Sequence, residues 1–265
     1  MHELPLFLPR SAFSPREAAR AGDVWRLFQD IAVAGSIAAG WSPTRYRDEG
    51  CSMIVRGMTV QHHRETLYGE TLTGATWPSQ ARRGVFFRRE GRLTCAAGPV
   101  ASATQEWVHV SMEAGEIRVA RGSTGLVDAF TPESHGPSVA LPSFEPRTDR
   151  AEHRFEFDCW HSWMDPLDHV NHPAYVDFCD EAIARVMAEA GLDPVSLCPV
   201  AEKVTFRSGV KARERARVRT QLRGETQAGD AVFDHRVEVG ERLCAQATTV
   251  RRLVSEEGRS ALLSL

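Results

Sequence analysis

Five residues able to carry a reaction, Asp165, Asp168, His169, Asn171 and His172, fall within eight positions of one another. A carboxylate such as Asp165 can act as a base or a nucleophile. An imidazole such as His169 can orient or share a proton, and an amide such as Asn171 can hold a loop or a substrate carbonyl. Asp168, His172 and, a little further on, Tyr175 are candidate substrate-binding positions beside them. What must position this set is a helix. From Tyr175 the apolar residues Phe178, Ala182, Val186 and Ala190 follow the three-to-four spacing of one buried face. Pro173 fits the first turn, Asn171 or His172 is placed to cap it, and Gly191 suits the stop. The polar set therefore precedes a helix N-terminus, where backbone N–H groups and the positive end of the dipole stabilise developing negative charge. That arrangement suits acyl chemistry.

The spacing Asp165-x-x-x-His169-Val170-Asn171-x-x-x-Tyr175, followed by Glu181 and Ala182, resembles the signature of hot-dog-fold thioesterases. It is similar to that of 4-hydroxybenzoyl-CoA thioesterases and, more closely, of acyl-ACP (acyl carrier protein) thioesterases. The resemblance implies that Asp165 attacks a thioester carbonyl or activates water, that His169 orients or shares the proton, and that Asn171 holds the loop or the carbonyl. It also implies an oxyanion hole built from N–H groups at the helix start, each donor contributing about 10²–10³ in rate. Acyl-CoA or acyl-ACP would be the substrate, in fatty acid metabolism, with no cofactor. There are departures. Asp168 stands where the family has Gly, His172 where it has Asn, and Leu167 where plant-type enzymes have a further Asn. Nothing around Arg207 to Lys211 matches the later acid or thiol of those enzymes.

The remaining composition narrows the class. A net charge of −3, with 42% hydrophobic and 25% charged residues, describes a globular protein with no general attraction to nucleic acid or an anionic membrane. No apolar run approaches the length needed to span a bilayer. The start lacks the basic and long apolar segments of a signal peptide. Six scattered cysteines without a Cys-x-x-Cys pair suggest a cytoplasmic chain with reduced thiols.

Read in order, the chain repeats itself. An apolar, Pro-punctuated start suits an edge strand or an arm. A helix is expected from Asp23 to Gly40, with Val24, Trp25, Phe28, Ala32, Gly35 and Ala39 on one face. Strands are expected at Ser52–Gln61, Glu70–Trp77, Gly84–Glu90 and Ala101–Met112, with turns at Leu67-Tyr68-Gly69 and Gly91-Arg92. The Pro-, Ser- and Gly-rich stretch 131–150 reads as a linker. Then a strand at Arg154–Trp160, the helix Pro173–Gly191 and strands at Val200–Phe206, Arg215–Arg223, Ala231–Val239 and Arg242–Leu253 repeat the pattern. The helices align 150 residues apart (Val24/Ala174, Trp25/Tyr175, Phe28/Phe178, Asp30/Asp180, Ala32/Ala182) and later strand segments 144 apart. Two α+β units in tandem are expected: residues 1–130, the linker 131–150, and residues 151–265. The acyl-ACP thioesterase resemblance implies the same plan, a tandem (double) hot-dog fold in which each unit wraps an antiparallel sheet round a long helix. The fused pair already forms a pseudo-dimer, so the chain is expected as a monomer or a homodimer.

Subtracting 150 from Asp165, His169 and Asn171 reaches Pro15, Ala19 and Ala21, none able to titrate. One site per chain is expected, in the second half, with the first half as scaffold and acyl-chain pocket. The plain alternative is that Asp165 and Asn171 only turn and cap the chain. A metal site is disfavoured, because no pair has the His-Glu-x-x-His spacing and no Cys is placed to help. Arg213, Arg215, Arg217 and Arg219 read as one wet strand face, or as a dock for CoA phosphates or an acidic carrier. Two other readings compete with hydrolysis: a hot-dog dehydratase or hydratase, against which stands the lack of a His-Phe-Pro motif, and a non-catalytic acyl-thioester binder.

Overall fold

A computed structural model describes residues 1–113, 116–147, 151–254 and 263. The residues pack into two units, Met1–Leu8, Val24–Arg64 and Gly69–Val139 forming the first, and Pro9–Asp23, Glu65–Tyr68 and Ala140–Leu265 the second. The boundary falls inside the stretch expected as a linker, and two short pieces of the first half pack with the second unit.

In the first unit the expected helix forms as α1, Ala21–Ala38. Its buried face, Val24, Trp25, Phe28, Ile31 and Ala32, is the one the periodicity marks. Five strands, β1 (His2–Leu6), β2 (Cys51–His62), β3 (Leu72–Arg82), β4 (Phe86–Cys95) and β5 (Gly98–Glu113), form an antiparallel sheet in the order β1-β3-β4-β5-β2. A short β6 (Glu116–Val119) pairs with β5. Two six-residue helices, α2 (Pro43–Asp48) and α3 (Thr124–Ala129), are each capped by a serine hydroxyl, Ser42 and Ser123; they are too short to show a periodic face.

Gly91 and Arg92, expected as a turn, lie in the middle of β4. A Cβ on Gly91 would meet Phe28 Cδ1 at 2.7 Å, so this glycine lets the sheet close onto α1. Much of the expected linker is also packed. The Glu133 N–H bonds the Pro78 carbonyl, His135 meets the Trp77 ring edge-on, and Arg92 donates to the Pro137 carbonyl at 2.7 Å. Ser138 donates to Glu90 Oε1 at 2.8 Å, where Ser79 and Thr104 also bond a fully buried carboxylate. Three donors make that burial tolerable.

The second unit repeats the plan. β7 (Phe144–Pro146) and β8 (Glu152–Asp158) both pair with β10, and α4 spans Ala174–Glu189. The sheet then runs β9 (Leu197–Phe206), β12 (Arg242–Leu253), β11 (Ala231–Val239), β10 (Arg215–Thr226). Tyr175, Phe178, Cys179, Ala182, Ile183, Val186 and Met187 bury one face of α4. Among the described residues no helix is long and apolar enough to cross a membrane.

One buried ionic cluster fastens α4 to this sheet. Arg251, 1% exposed, bonds Asp180 on α4 through Nε at 2.8 Å and Glu202 on β9 through Nη1. Truncating the cation leaves two carboxylates facing each other without a counter-charge. Arg251→Met is therefore expected to lower unfolding free energy by about 3–5 kcal/mol, read from urea melts. A change within about 0.5 kcal/mol would mean that solvent already screens the cluster.

Candidate active site

A 3-10 turn at His161–Trp163 leads into a tight loop. The Asp165 N–H bonds the His169 carbonyl at 2.8 Å, the Asp168 N–H bonds the Asp165 carbonyl at 3.0 Å, and Met164 bridges Val170. Inside this loop Asp165 Oδ1 accepts the N–H of Leu167 at 2.8 Å and that of His169 at 3.4 Å. Asp168 takes φ 59°, the left-handed conformation that aspartate tolerates better than most residues. The loop is pinned outward by the Val170 N–H on the Val210 carbonyl at 2.7 Å and by the Asn171 N–H on the Trp163 carbonyl at 2.8 Å. Asp165 and His169 are half-buried, and Asp168 is exposed.

The helix tip differs from expectation. α4 begins at Ala174, with Pro173 in the capping position and no capping side chain from it. The N–H groups of Ala174, Tyr175 and Val176 donate to the carbonyls of Asn171, His172 and Pro173 at 3.0, 3.3 and 3.0 Å. Those three N–H groups are thus engaged, and the tip contributes its dipole rather than free donors at these positions. Tyr175 is buried, in ring contact with Phe178 and Phe206, and burial pushes its phenol up. His172 stands edge-on to Phe206.

Sequence reasoning missed what His169 rests on. An added Cβ at Gly209 would lie 2.1 Å from His169 Cδ2, so the imidazole packs against bare backbone. That backbone is held in turn: Arg242 donates to the Gly209 carbonyl at 2.7 Å and to Ser208 Oγ at 2.9 Å, and forks onto both oxygens of Glu214. Burial opposes the charge on Glu214, but the Lys211 N–H and Arg242 hold its carboxyl below the ordinary value. Gly209→Ala is expected to push the His169 ring aside. If the ring orients the reaction, turnover should fall about tenfold to 100-fold with the fold retained by circular dichroism; unchanged turnover would remove His169 from the chemistry.

The first half builds the same loop, at a shift of 151 rather than 150. Arg10–Ala12 is again a 3-10 turn, and Phe13 bridges Ala19. The Ser14 N–H bonds the Ala18 carbonyl, Glu17 has φ 60°, and Ser14 Oγ accepts the Arg16 N–H at 3.3 Å. The counterparts of Asp165, His169 and Asn171 are therefore Ser14, Ala18 and Arg20, not Pro15, Ala19 and Ala21. One residue more separates loop from helix in the first copy. The turn role of Asp165 is thus shared with a hydroxyl, while the charge and the imidazole belong to the second copy alone. The strand shift of 144 pairs Gly209 with Glu65, which Arg16 engages in an ion pair. A large His faces a Gly in one copy, and a small Ala corresponds to a Glu in the other.

Three of the four arginines of the expected row are ion-paired, Arg215 and Arg217 with Glu156 and Arg219 with Glu152; Arg213 precedes the strand, at φ 67°. Nearby, a pocket of about 430 Å³ on the same sheet is lined by Lys203, Arg219, Arg223, Asp234 and Arg236 among others, and by none of the loop residues. Arg223 and Arg236 are paired there with Asp234 and Glu238.

Two α+β units, each a long helix against an antiparallel sheet and each helix entered through the same turn, define a double hot-dog fold. Residues 159–263 match the profile of the Thioesterase-like superfamily, a span that contains the Asp165 loop, α4 and the sheet strands after it. No curated protein matches the chain in sequence. Three solved structures share its fold over nearly the whole length. A Lactobacillus plantarum protein described as an oleoyl thioesterase superimposes with a TM-score of 0.79 at 19% identity, covering 96% of each chain. The 12:0-ACP thioesterase from Umbellularia californica gives 0.76 at 16%, covering 95% of this chain and 94% of its own. An acyl-ACP thioesterase from Bacteroides thetaiotaomicron gives 0.71 at 10%, covering 95% and 97%.

Proposed function

We propose that the chain hydrolyses acyl thioesters, carried by ACP or CoA, with Asp165 as the general base or nucleophile. The observation that carries this reading is the repeated turn: of two copies with one backbone plan, only the second bears a carboxylate at the turn-bonding position, where the first has Ser14, and an imidazole, where the first has Ala18. As a base, Asp165 takes a proton from water while the oxygen attacks the carbonyl; the thiol leaves protonated and the acyl group becomes a carboxylate. As a nucleophile, it forms an anhydride with release of the thiol, and water then cleaves the anhydride. His169, seated on Gly209, orients the carboxylate or passes the proton, and Asn171 holds the loop or the carbonyl. Asp168, His172 and Tyr175 contribute to substrate binding. The ACP reading draws support from the two neighbours whose names specify that carrier.

A second reading, a non-catalytic acyl-thioester binder, is favoured by one fact: Asp165 Oδ1 is occupied by two backbone N–H groups, a purely architectural task that Ser14 performs in the other copy. A panel of acyl-CoA and acyl-ACP substrates with thiol detection separates the readings. Turnover that depends on Asp165 supports hydrolysis; tight binding without thiol release supports the binder; loss of enoyl absorbance without thiol release would point to a hydratase.

A further inference from the structure

Arg89 on β4 has no counterpart in the hydrolytic scheme and, among the described residues, no carboxylate partner. Its side chain is 7% exposed. Among the described residues it makes one hydrogen bond, from Nη1 to Thr76 Oγ1 at 3.5 Å, the outer limit for such a bond. Its guanidinium carbon lies 5.3 Å from the Phe130 ring centroid, which eases the charge modestly. Glu133, whose field reaches it, is engaged by the Met1 ammonium and by His135. Burial pushes the Arg89 guanidinium down to about 10, the direction expected of a cation taken out of water without a counter-charge.

The groups around it are also donors. The Tyr46 hydroxyl on α2 is buried and, among the described residues, meets no partner in full hydrogen-bond geometry, with the Ser36 hydroxyl as its polar neighbour. The neighbouring Ser36 gives its own proton to the Ala32 carbonyl at 3.0 Å. Trp41, in ring contact with Tyr46 at 5.2 Å, buries an indole N–H that also has no acceptor. Space for the guanidinium comes from α1, where a Cβ on Gly35 would fall 2.6 Å from Arg89 Nη1. A buried cation, a buried phenol and a buried indole converge on one aromatic cluster of the first unit, with no carboxylate bonded to any of them among the described residues. Of these three, the Tyr46 hydroxyl and the Trp41 indole N–H are the orphaned groups; such orphans are costly, and native interiors satisfy nearly all of them.

We propose that the first unit contains a binding site for the carboxylate of an organic acid, centred on Arg89 with the Tyr46 hydroxyl as a further donor. The guanidinium fork matches a planar carboxylate in two parallel hydrogen bonds. A single buried cation balances a single negative charge, whereas a phosphate dianion would leave one charge uncompensated. The apolar neighbours Trp41, Phe87 and Phe130 suit the hydrocarbon part of such an acid. The site stands independently of the hydrolytic reading, because none of its residues belongs to the Asp165 loop.

The test is a titration of the full chain with formate, acetate, benzoate and octanoate, beside chloride and inorganic phosphate, followed by calorimetry and by thermal unfolding. Saturable binding of at least one carboxylate, at least tenfold tighter than chloride or phosphate, is expected, with a rise in melting temperature. Arg89→Met should weaken that binding at least tenfold, while the ligand-free variant melts no lower than the wild type, because an unneutralised charge has been removed. If Arg89→Met does not fold, Gly35→Ala and Tyr46→Phe replace it, each expected to weaken binding severalfold. No saturable carboxylate binding to the wild type would overturn the proposal. So would binding undiminished by these substitutions, or phosphate and chloride binding as tightly as the carboxylates.

Discussion

Asp165→Asn is expected to reduce thiol release from an acyl thioester by about 10²–10⁴-fold, the contribution of a positioned base or nucleophile, while the melting temperature moves little. The geometry makes this substitution informative. Asparagine Oδ1 accepts the Leu167 and His169 N–H groups as the carboxylate oxygen does, so the turn survives and only the charge is lost. Asp165→Ser, copying Ser14 of the other loop, should likewise keep the turn and abolish turnover. Asp165→Ala removes the acceptor and should lower stability by about 1 kcal/mol as well. Were the residue purely architectural, Asn and Ser would be nearly silent in the thiol assay and Ala alone would show an effect. The three variants together separate turn from chemistry, which a single alanine substitution does not.

Acid should destabilise the second unit through His235. This imidazole is 2% exposed and lies between the hydroxyls of Thr220 and Thr249, each at 2.9 Å. Burial first, and then the charge of Arg251, push it down to about 3 from an ordinary 6.5. A base whose folded value is depressed remains neutral in the fold while the unfolded chain takes up a proton. Its contribution is therefore intact above pH 6.5 and is lost as the pH falls from 6.5 towards 3, at about 1.4 kcal/mol per pH unit. Between pH 6.5 and 4 that amounts to roughly 3 kcal/mol, a large part of a typical domain's stability. His235→Gln should be less stable near neutrality, from altered packing, yet show a shallower decline with acid in urea melts at a series of pH values. The other titrating groups act equally on both proteins, so parallel curves would rule out His235 as the source.

The neighbourhood of Arg251 links this acid response to the ionic cluster on α4. Its cation sits where His235 would have to become charged, so removing it in Arg251→Met should also ease protonation of the imidazole. The two effects are not additive, because the residues share one interior field.

Period and spacing alone determined much of this protein. The two helices were legible because apolar residues recur every three to four positions over four turns, a signal that short-range sterics cannot mimic. The strands, the tandem order and the loop with Asp165, His169 and Asn171 were legible for a similar reason: each is a local pattern, and the second copy gave an internal comparison. Only the tertiary structure decided that Gly91 serves a close approach to Phe28 rather than a turn, that much of the 131–150 stretch is packed, and that the loop repeats at 151 residues with Ser14 opposite Asp165. The same holds for the seat of His169 on Gly209, the engaged N–H groups at the tip of α4, and the unpartnered donors around Arg89. All of these depend on which side chain meets which across the chain. A residue's own type fixes what it can do, whereas burial, room and counter-charge are supplied by distant neighbours and carry no local periodicity.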